Sequence, residues 1–257
     1  MFNLINPKTE FLVVKHSHLN NLNNEFDLGR VVEEALKLEK HTNSRRIVVA
    51  LEGDIIQLPD SRVILTHQSF IGPSIKRFNE LREAGIAVYL PEALDAYQKF
   101  MEQYNGRVVL CLEPKPITTA KTIASAIQEL QRKGITDVYF DTFFAHCLEY
   151  VTRTNQAQQT HYPTSRHLVG NLGPIPVIVD KRYPADIITV PYPMSFGSLN
   201  RPVIYGAVGD AEKLKHVAED PQCYGAYVRF KEGHGKVLGA ARLLHVSMKN
   251  TPETRKN

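Results

Sequence analysis

Tryptophan is absent from the 257 residues, and cysteine is scarce: Cys111, Cys147 and Cys223 lie far apart. An odd count with no CxxC pair argues against a disulfide framework. Two of the three sit in apolar stretches, VVLCLE and QCYGAYV, where a reduced thiol of a cytosolic protein is simply buried. Also missing is any apolar run near the roughly 20 residues that a membrane span needs. The opening MFNLINPKTE has neither the basic start nor the long apolar core of a secretory signal. A soluble, cytoplasmic protein with no transmembrane segment is expected. Charge of one sign is not concentrated. Lys and Arg number 31 against 27 Asp and Glu, a net +4, and only the tail from Lys249 to Lys256 gathers basic residues. Nucleic-acid binders collect such charge into a patch and interleave it with aromatic residues. Neither pattern occurs, so no nucleic-acid partner is expected. No GxGxxG or GxxxxGK[ST] follows any apolar run, which removes the usual nucleotide-binding turns of an open doubly wound sheet.

What is present is an alternation. Short runs rich in β-branched residues are separated by segments of helical spacing. Strands are predicted to start at Phe11, Ile47, Arg107, Asp137, Val177, Ile187, Val203 and Tyr224. A further short run, Arg62 to Thr66, ends at His67. Helices are expected at Asp27 to Lys40, with Asp27 as its cap, at Pro73 to Ala84, Pro91 to Gln103, Thr118 to Lys133, Phe144 to Val151 and Asp210 to Glu219. Thr118 to Lys133 is the clearest of them, with Gly134 as its stop. Eight strands that alternate with helices imply parallel pairing and a closed α/β barrel, the (β/α)8 or TIM barrel, at a length that suits one. No linker divides the chain. Residues 1–257 are therefore expected to form one domain, its barrel core at about 10–231 and a terminal helix and loose tail at 232–257.

In such a barrel, chemistry collects where strands end. The first strand ends at His16, the second at Glu52 and Asp54, the third at Glu113 and Lys115. Residues two apart on a strand share a face, so Glu52 and Asp54 can point together into the mouth. Three converging carboxylates call for a cation, and oxygen-only ligation suits Mg2+ or Ca2+. His16 and His67 would supply an acid and a base that titrate near neutral pH. Lys115 would offer a fixed positive charge to a phosphate oxygen. Asp141-Thr142 and Asp180-Lys181 also end strands, and helix capping is the role expected for them rather than lining the mouth. Tyr192, Met194 and Phe196 lie in a Pro-rich loop, where covering an apolar substrate and ordinary loop packing explain them equally well.

The ordered series His, ExD, His, ExK resembles the glycerophosphodiester phosphodiesterases, which are barrels of the phospholipase C-like phosphodiesterase type. That family's first strand ends in His-Arg-Gly, and VVKHSH stands in that place. LEGD matches its Glu-x-Asp, VILTHQ part of its His-Asp pair, LPEALDAY its proline-led helix, and CLEPK its Glu-x-Lys. VIYGAVGDAEKLKHV and YGAYVRF echo its last units, so the likeness runs from about residue 11 to 230. The resemblance implies a metal-dependent hydrolase of a small phosphodiester substrate. Glu52, Asp54 and Glu113 would hold the metal, His16 and His67 would act as acid and base, and Lys115 and His18 would contact substrate. Ser17 replaces the family's Arg, His18 its Gly, and Gln68 its Asp. These departures leave two other readings in play. One is a catalytically silent barrel that binds a phosphorylated ligand or a protein partner. The other is a phospholipase D-like enzyme acting on sphingomyelin or lysophospholipid.

Overall fold

A computed structural model describes residues 5–15, 25–66, 74–168, 185–191, 201–208 and 210–228. The first apolar run forms β1 (Glu10–Lys15), and α1 (Glu25–Leu36) leads through a 3-10 turn (Lys37–His41) into β2 (Arg46–Gln57). Asp27 is not the cap of α1, because the helix already runs from Glu25. Two short strands, β3 (Val63–Thr66) and β4 (Ala87–Tyr89), flank α2 (Ile75–Glu83), and α3 (Leu90–Tyr104) follows with its proline in the first turn. Next come β5 (Val108–Pro114), α4 (Ala120–Arg132), β6 (Val138–Thr142), α5 (Ala145–Gln158) and β7 (Thr164–His167). The last described elements are β8 (Ile187–Pro191), β9 (Val203–Val208), α6 (Ala211–Ala218) and β10 (Cys223–Val228).

Eight of these strands close a parallel ring in the order β1, β2, β5, β6, β7, β8, β9, β10, with β10 pairing back to β1. The expected (β/α)8 barrel is the architecture found. The expected count of eight was right, but one strand differs. Its fifth member is Thr164–His167, paired with β6 and β8, in place of the segment at Val177, which lies outside the described residues. The run ending at Thr66 is not a barrel strand. The end of β2 overshoots the ring, and Ile55 to Gln57 pair antiparallel with β3, which pairs with β4.

Strand alternation divides the apolar residues into two sets. Leu12, Val14, Val48, Ala50, Val109, Cys111, Tyr139, Ile187, Ile204 and Tyr224 fill the barrel interior. Phe11, Val13, Ile47, Val49, Leu51, Leu110, Leu112, Val138 and Phe140 face outward, where Val32, Leu94, Ile123, Ile127, Val151 and Leu214 of the helices cover them. Each such aliphatic burial contributes about 1.5–3 kcal/mol, which is why helix and strand periods both register so clearly in this sequence. The α4 helix opens on a capping box, with Thr119 Oγ1 accepting from the Thr122 N–H at 3.2 Å, and Gly134 follows at φ +67°. Where β10 meets β1, a Cβ on Gly225 would lie 2.3 Å from the Leu12 carbonyl oxygen. Only glycine lets the two backbones approach that closely.

Candidate active site

The interior columns of β2 and β5 change character toward their C-terminal ends. After Val48 and Ala50 come Glu52 and Asp54; after Val109 and Cys111 come Glu113 and Lys115. Because the two strands are parallel neighbours, the register sets Asp54 beside Glu113 and Glu52 beside Cys111. All three carboxylates are buried, and one oxygen from each lies within 4.8 Å of the others. Lys115 Nζ sits 2.6 Å from Glu113 Oε1 and 3.0 Å from Asp54 Oδ1. Burial works against the lysine charge, but Asp54 and Glu113 outweigh it and raise its pKa.

One ammonium cannot neutralise three buried carboxylates. Glu52 shows the strain of that imbalance. Burial, then a hydrogen bond to Glu113 and the charges of Glu113, Asp54 and Asp141, push its carboxyl well above the usual range. A divalent cation would remove the same repulsion by ligation, and an all-oxygen donor set suits a hard ion. The residues present therefore fit a hard divalent cation, which Glu52, Asp54 and Glu113 could hold.

A second polar group lies on the β6, β7 and β10 side of the same interior. Asp141 follows Tyr139 on the inward face of β6 and is fully buried. Its Oδ2 accepts from His167 Nε2 at 2.8 Å and from the Tyr227 hydroxyl. The ring of His167 stacks on Phe143, with centroids 3.9 Å apart and planes 14° from parallel. Ser165, two residues before His167, meets Thr189 across β8 at 3.0 Å between hydroxyls. Burial alone would raise the Asp141 pKa. The charge and hydrogen bond of His167, with hydrogen bonds from Tyr227 and Ser165, instead hold it below the ordinary range. Below both groups, Cys111 and Tyr139 are buried against each other, and burial pushes the pKa of each upward.

Of the residues singled out in the sequence, Glu52, Asp54, Glu113 and Lys115 converge. His16, His18 and His67 lie outside the described residues, as do Asp180, Lys181, Tyr192, Met194 and Phe196. The capping role expected for Asp141 is corrected, since its side chain faces the barrel interior and holds His167 and Tyr227. Thr142 does not cap α5 either: its Oγ1 accepts from the Phe144 N–H at 3.1 Å, but Phe144 holds the N-cap position and no side chain caps that helix. His167 and Tyr227 escaped the sequence reading. His167 belongs to a polar strand, TSRH, that no search for β-branched apolar runs detects. Its partners stand 26 residues before it and 60 after, at Asp141 and Tyr227.

Two solved structures share this architecture over most of their length. One is an Oleispira antarctica phosphodiesterase in complex with the product sn-glycerol-3-phosphate. It is 11% identical, covers 85% of this chain and 92% of its own, and superposes with a TM-score of 0.56. The other is a glycerophosphodiester phosphodiesterase from Agrobacterium tumefaciens, 14% identical, covering 86% and 96%, with a TM-score of 0.53. The likeness is one of fold. No protein-family profile matches the sequence, and no curated protein matches it.

Proposed function

We propose that this chain is a metal-dependent phosphodiester hydrolase that acts on a glycerophosphodiester or a related lysolipid. The observation that carries the reading is the convergence of Glu52, Asp54 and Glu113 at the C-terminal ends of adjacent barrel strands. The fold shared with a phosphodiesterase whose structure holds sn-glycerol-3-phosphate supports it. In this reading the three carboxylates hold Mg2+ or Ca2+, which when bound would polarise the phosphoryl group. Lys115, at the edge of the carboxylates, neutralises a non-bridging phosphate oxygen. His16 and His67 come directly after the described ends of β1 and β3, and they divide the proton transfers. One takes a proton from the attacking water as its oxygen bonds to phosphorus; the other protonates the alkoxide released when the P–O ester bond breaks. His18 stands close enough in sequence to His16 to contact substrate.

Ile117 and Phe143 are large apolar side chains that remain about half exposed, in the segments after β5 and β6. They suit a substrate with an apolar portion at the rim. The enzyme is proposed to be cytoplasmic; among the described residues no helix is long and apolar enough to cross a membrane. Turnover of glycerophosphocholine and lysophosphatidylcholine with Mg2+, Ca2+ or Mn2+ tests the proposal. Hydrolysis should stop in excess EDTA and in Glu113→Gln, and turnover that persists in either refutes the metal-dependent site. The exchange of the family's Arg and Asp for Ser17 and Gln68 keeps a silent barrel as the second reading. Tight binding of a phosphorylated ligand with no turnover under any of the three metals would favour it.

A further inference from the structure

The Asp141–His167–Tyr227 cluster is not part of the carboxylate site and has no role in the mechanism given above. Three observations set it apart from a strut between strands. First, the imidazole is oriented rather than merely packed. Nε2 is engaged by Asp141, the ring is stacked on Phe143, and Tyr227 donates to the same carboxylate oxygen. Second, Nδ1 makes no hydrogen bond among the described residues, and the side chain is 15% exposed. A ring held by one nitrogen with the other left open is an arrangement for handling a further partner. Third, among the described residues the inward-facing carboxyl groups outnumber the fixed cations. Glu52, Asp54, Glu113 and Asp141 are four buried carboxyl groups, and Lys115 with one divalent cation matches three of them. His167 is the ring set against the fourth, its Nε2 2.8 Å from Asp141 Oδ2.

We propose that His167 is a substrate-contacting residue whose Nδ1–H donates a charged hydrogen bond to a non-bridging oxygen of the phosphodiester. Asp141 and Tyr227 are positioning residues that hold the ring for it. This role rests on the phosphodiesterase reading and adds the group that recognises the anion from the side away from the carboxylates. It also supplies a cationic phosphate contact in a chain that has Ser17 where the resembling family has Arg. The phosphoryl group would then lie between the metal side and an imidazolium side, and both would neutralise charge that grows on its oxygens.

The test uses the full chain with saturating Mg2+ and sn-glycerol 3-phosphate as the probe. In wild-type protein the imidazole 15N resonances of His167 should shift on titration, with Nδ1 moving most. His167→Gln should weaken probe binding about tenfold to a hundredfold, the worth of one charged hydrogen bond. Mg2+ affinity should stay within about twofold, because a small neutral side chain there leaves the carboxylates untouched. Asp141→Asn should weaken the probe and also shift the His167 Nε2 resonance in the 15N spectrum, because that nitrogen loses its carboxylate partner, which a packing defect elsewhere would not do. Unmoved resonances together with wild-type probe affinity in His167→Gln would overturn the proposal. If turnover and Mg2+ binding persist in that case, only the His167 role falls. If wild-type protein binds the probe through His167 but shows no turnover with any metal, the anion site stands and the hydrolase reading falls. The wild-type titration needs no variant, so a poorly folded substitution leaves the decision intact.

Discussion

The two sides of the barrel interior solve the same problem, how to keep charge out of water, by opposite means. On the β2 and β5 side, three carboxylates crowd around Lys115, and Glu52 is driven toward its protonated form. On the β6, β7 and β10 side, one carboxylate is surrounded by His167, Tyr227 and Ser165 and is held ionised. The first side is over-supplied with acid and is left wanting a cation. The second is already matched. A site that is electrostatically incomplete is suited to loading, and one that is complete is suited to holding a side chain in a fixed direction.

That contrast predicts different failures. The largest belongs to the incomplete side. Asp54→Asn should cut kcat/KM by at least about 10³-fold, a loss of several kcal/mol of transition-state stabilisation, while thermal stability changes little. A steady-state assay beside a melting curve checks both halves of that statement. On the matched side the order reverses. Asp141→Ala leaves His167 and Tyr227 without their shared acceptor and should cost about 2–4 kcal/mol of folding stability, measured by denaturant unfolding. If Asp141→Ala melts like wild type, the second group is not the tightly paired cluster described.

A smaller effect follows where β10, which carries Tyr227, lies against β1. Gly225→Ala forces a Cβ onto the Leu12 carbonyl and should destabilise by about 1–3 kcal/mol. The smallest effect is one of pH. Glu52 has a folded pKa above its unfolded one, so its contribution is fully present below the ordinary carboxylate range. It is lost as pH rises through the folded value. Metal-free protein should therefore lose a few degrees of Tm as pH climbs from the ordinary carboxylate range toward neutrality. Saturating Mg2+ or Glu52→Gln should flatten that slope, and an identical slope in Glu52→Gln would show that another group is responsible.

The two sides also differed in how visible they were beforehand. Glu52, Asp54, Glu113 and Lys115 could be found because each pair shares a strand face, two residues apart, at the end of an apolar run. The strand marks itself by hydrophobicity, and the acids mark its end. Asp141 was equally visible but misjudged. A strand-end Asp that precedes a helix looks the same as a cap, and only the direction of its side chain tells the two apart. His167 had no mark of its own. Its strand is short and polar because it contributes Ser165 and His167 inward, while Thr164 is tied to Asp186 at 2.8 Å from its N–H. The segment at Val177 offered a stronger β-branched pattern and drew the strand assignment instead.

By itself the sequence determined the alternation of strands and helices, the closed eight-stranded count and the charged pairs at the ends of β2 and β5. Each of these is written locally, in a periodicity of two or 3.6 residues over a handful of positions. The tertiary structure alone decided which strand sits beside which, and so which acids converge and which histidine meets Asp141. The physical reason is range. Backbone pairing around the ring brings Asp141, His167 and Tyr227 together across 86 positions of chain, and no local pattern encodes a hydrogen bond over that distance.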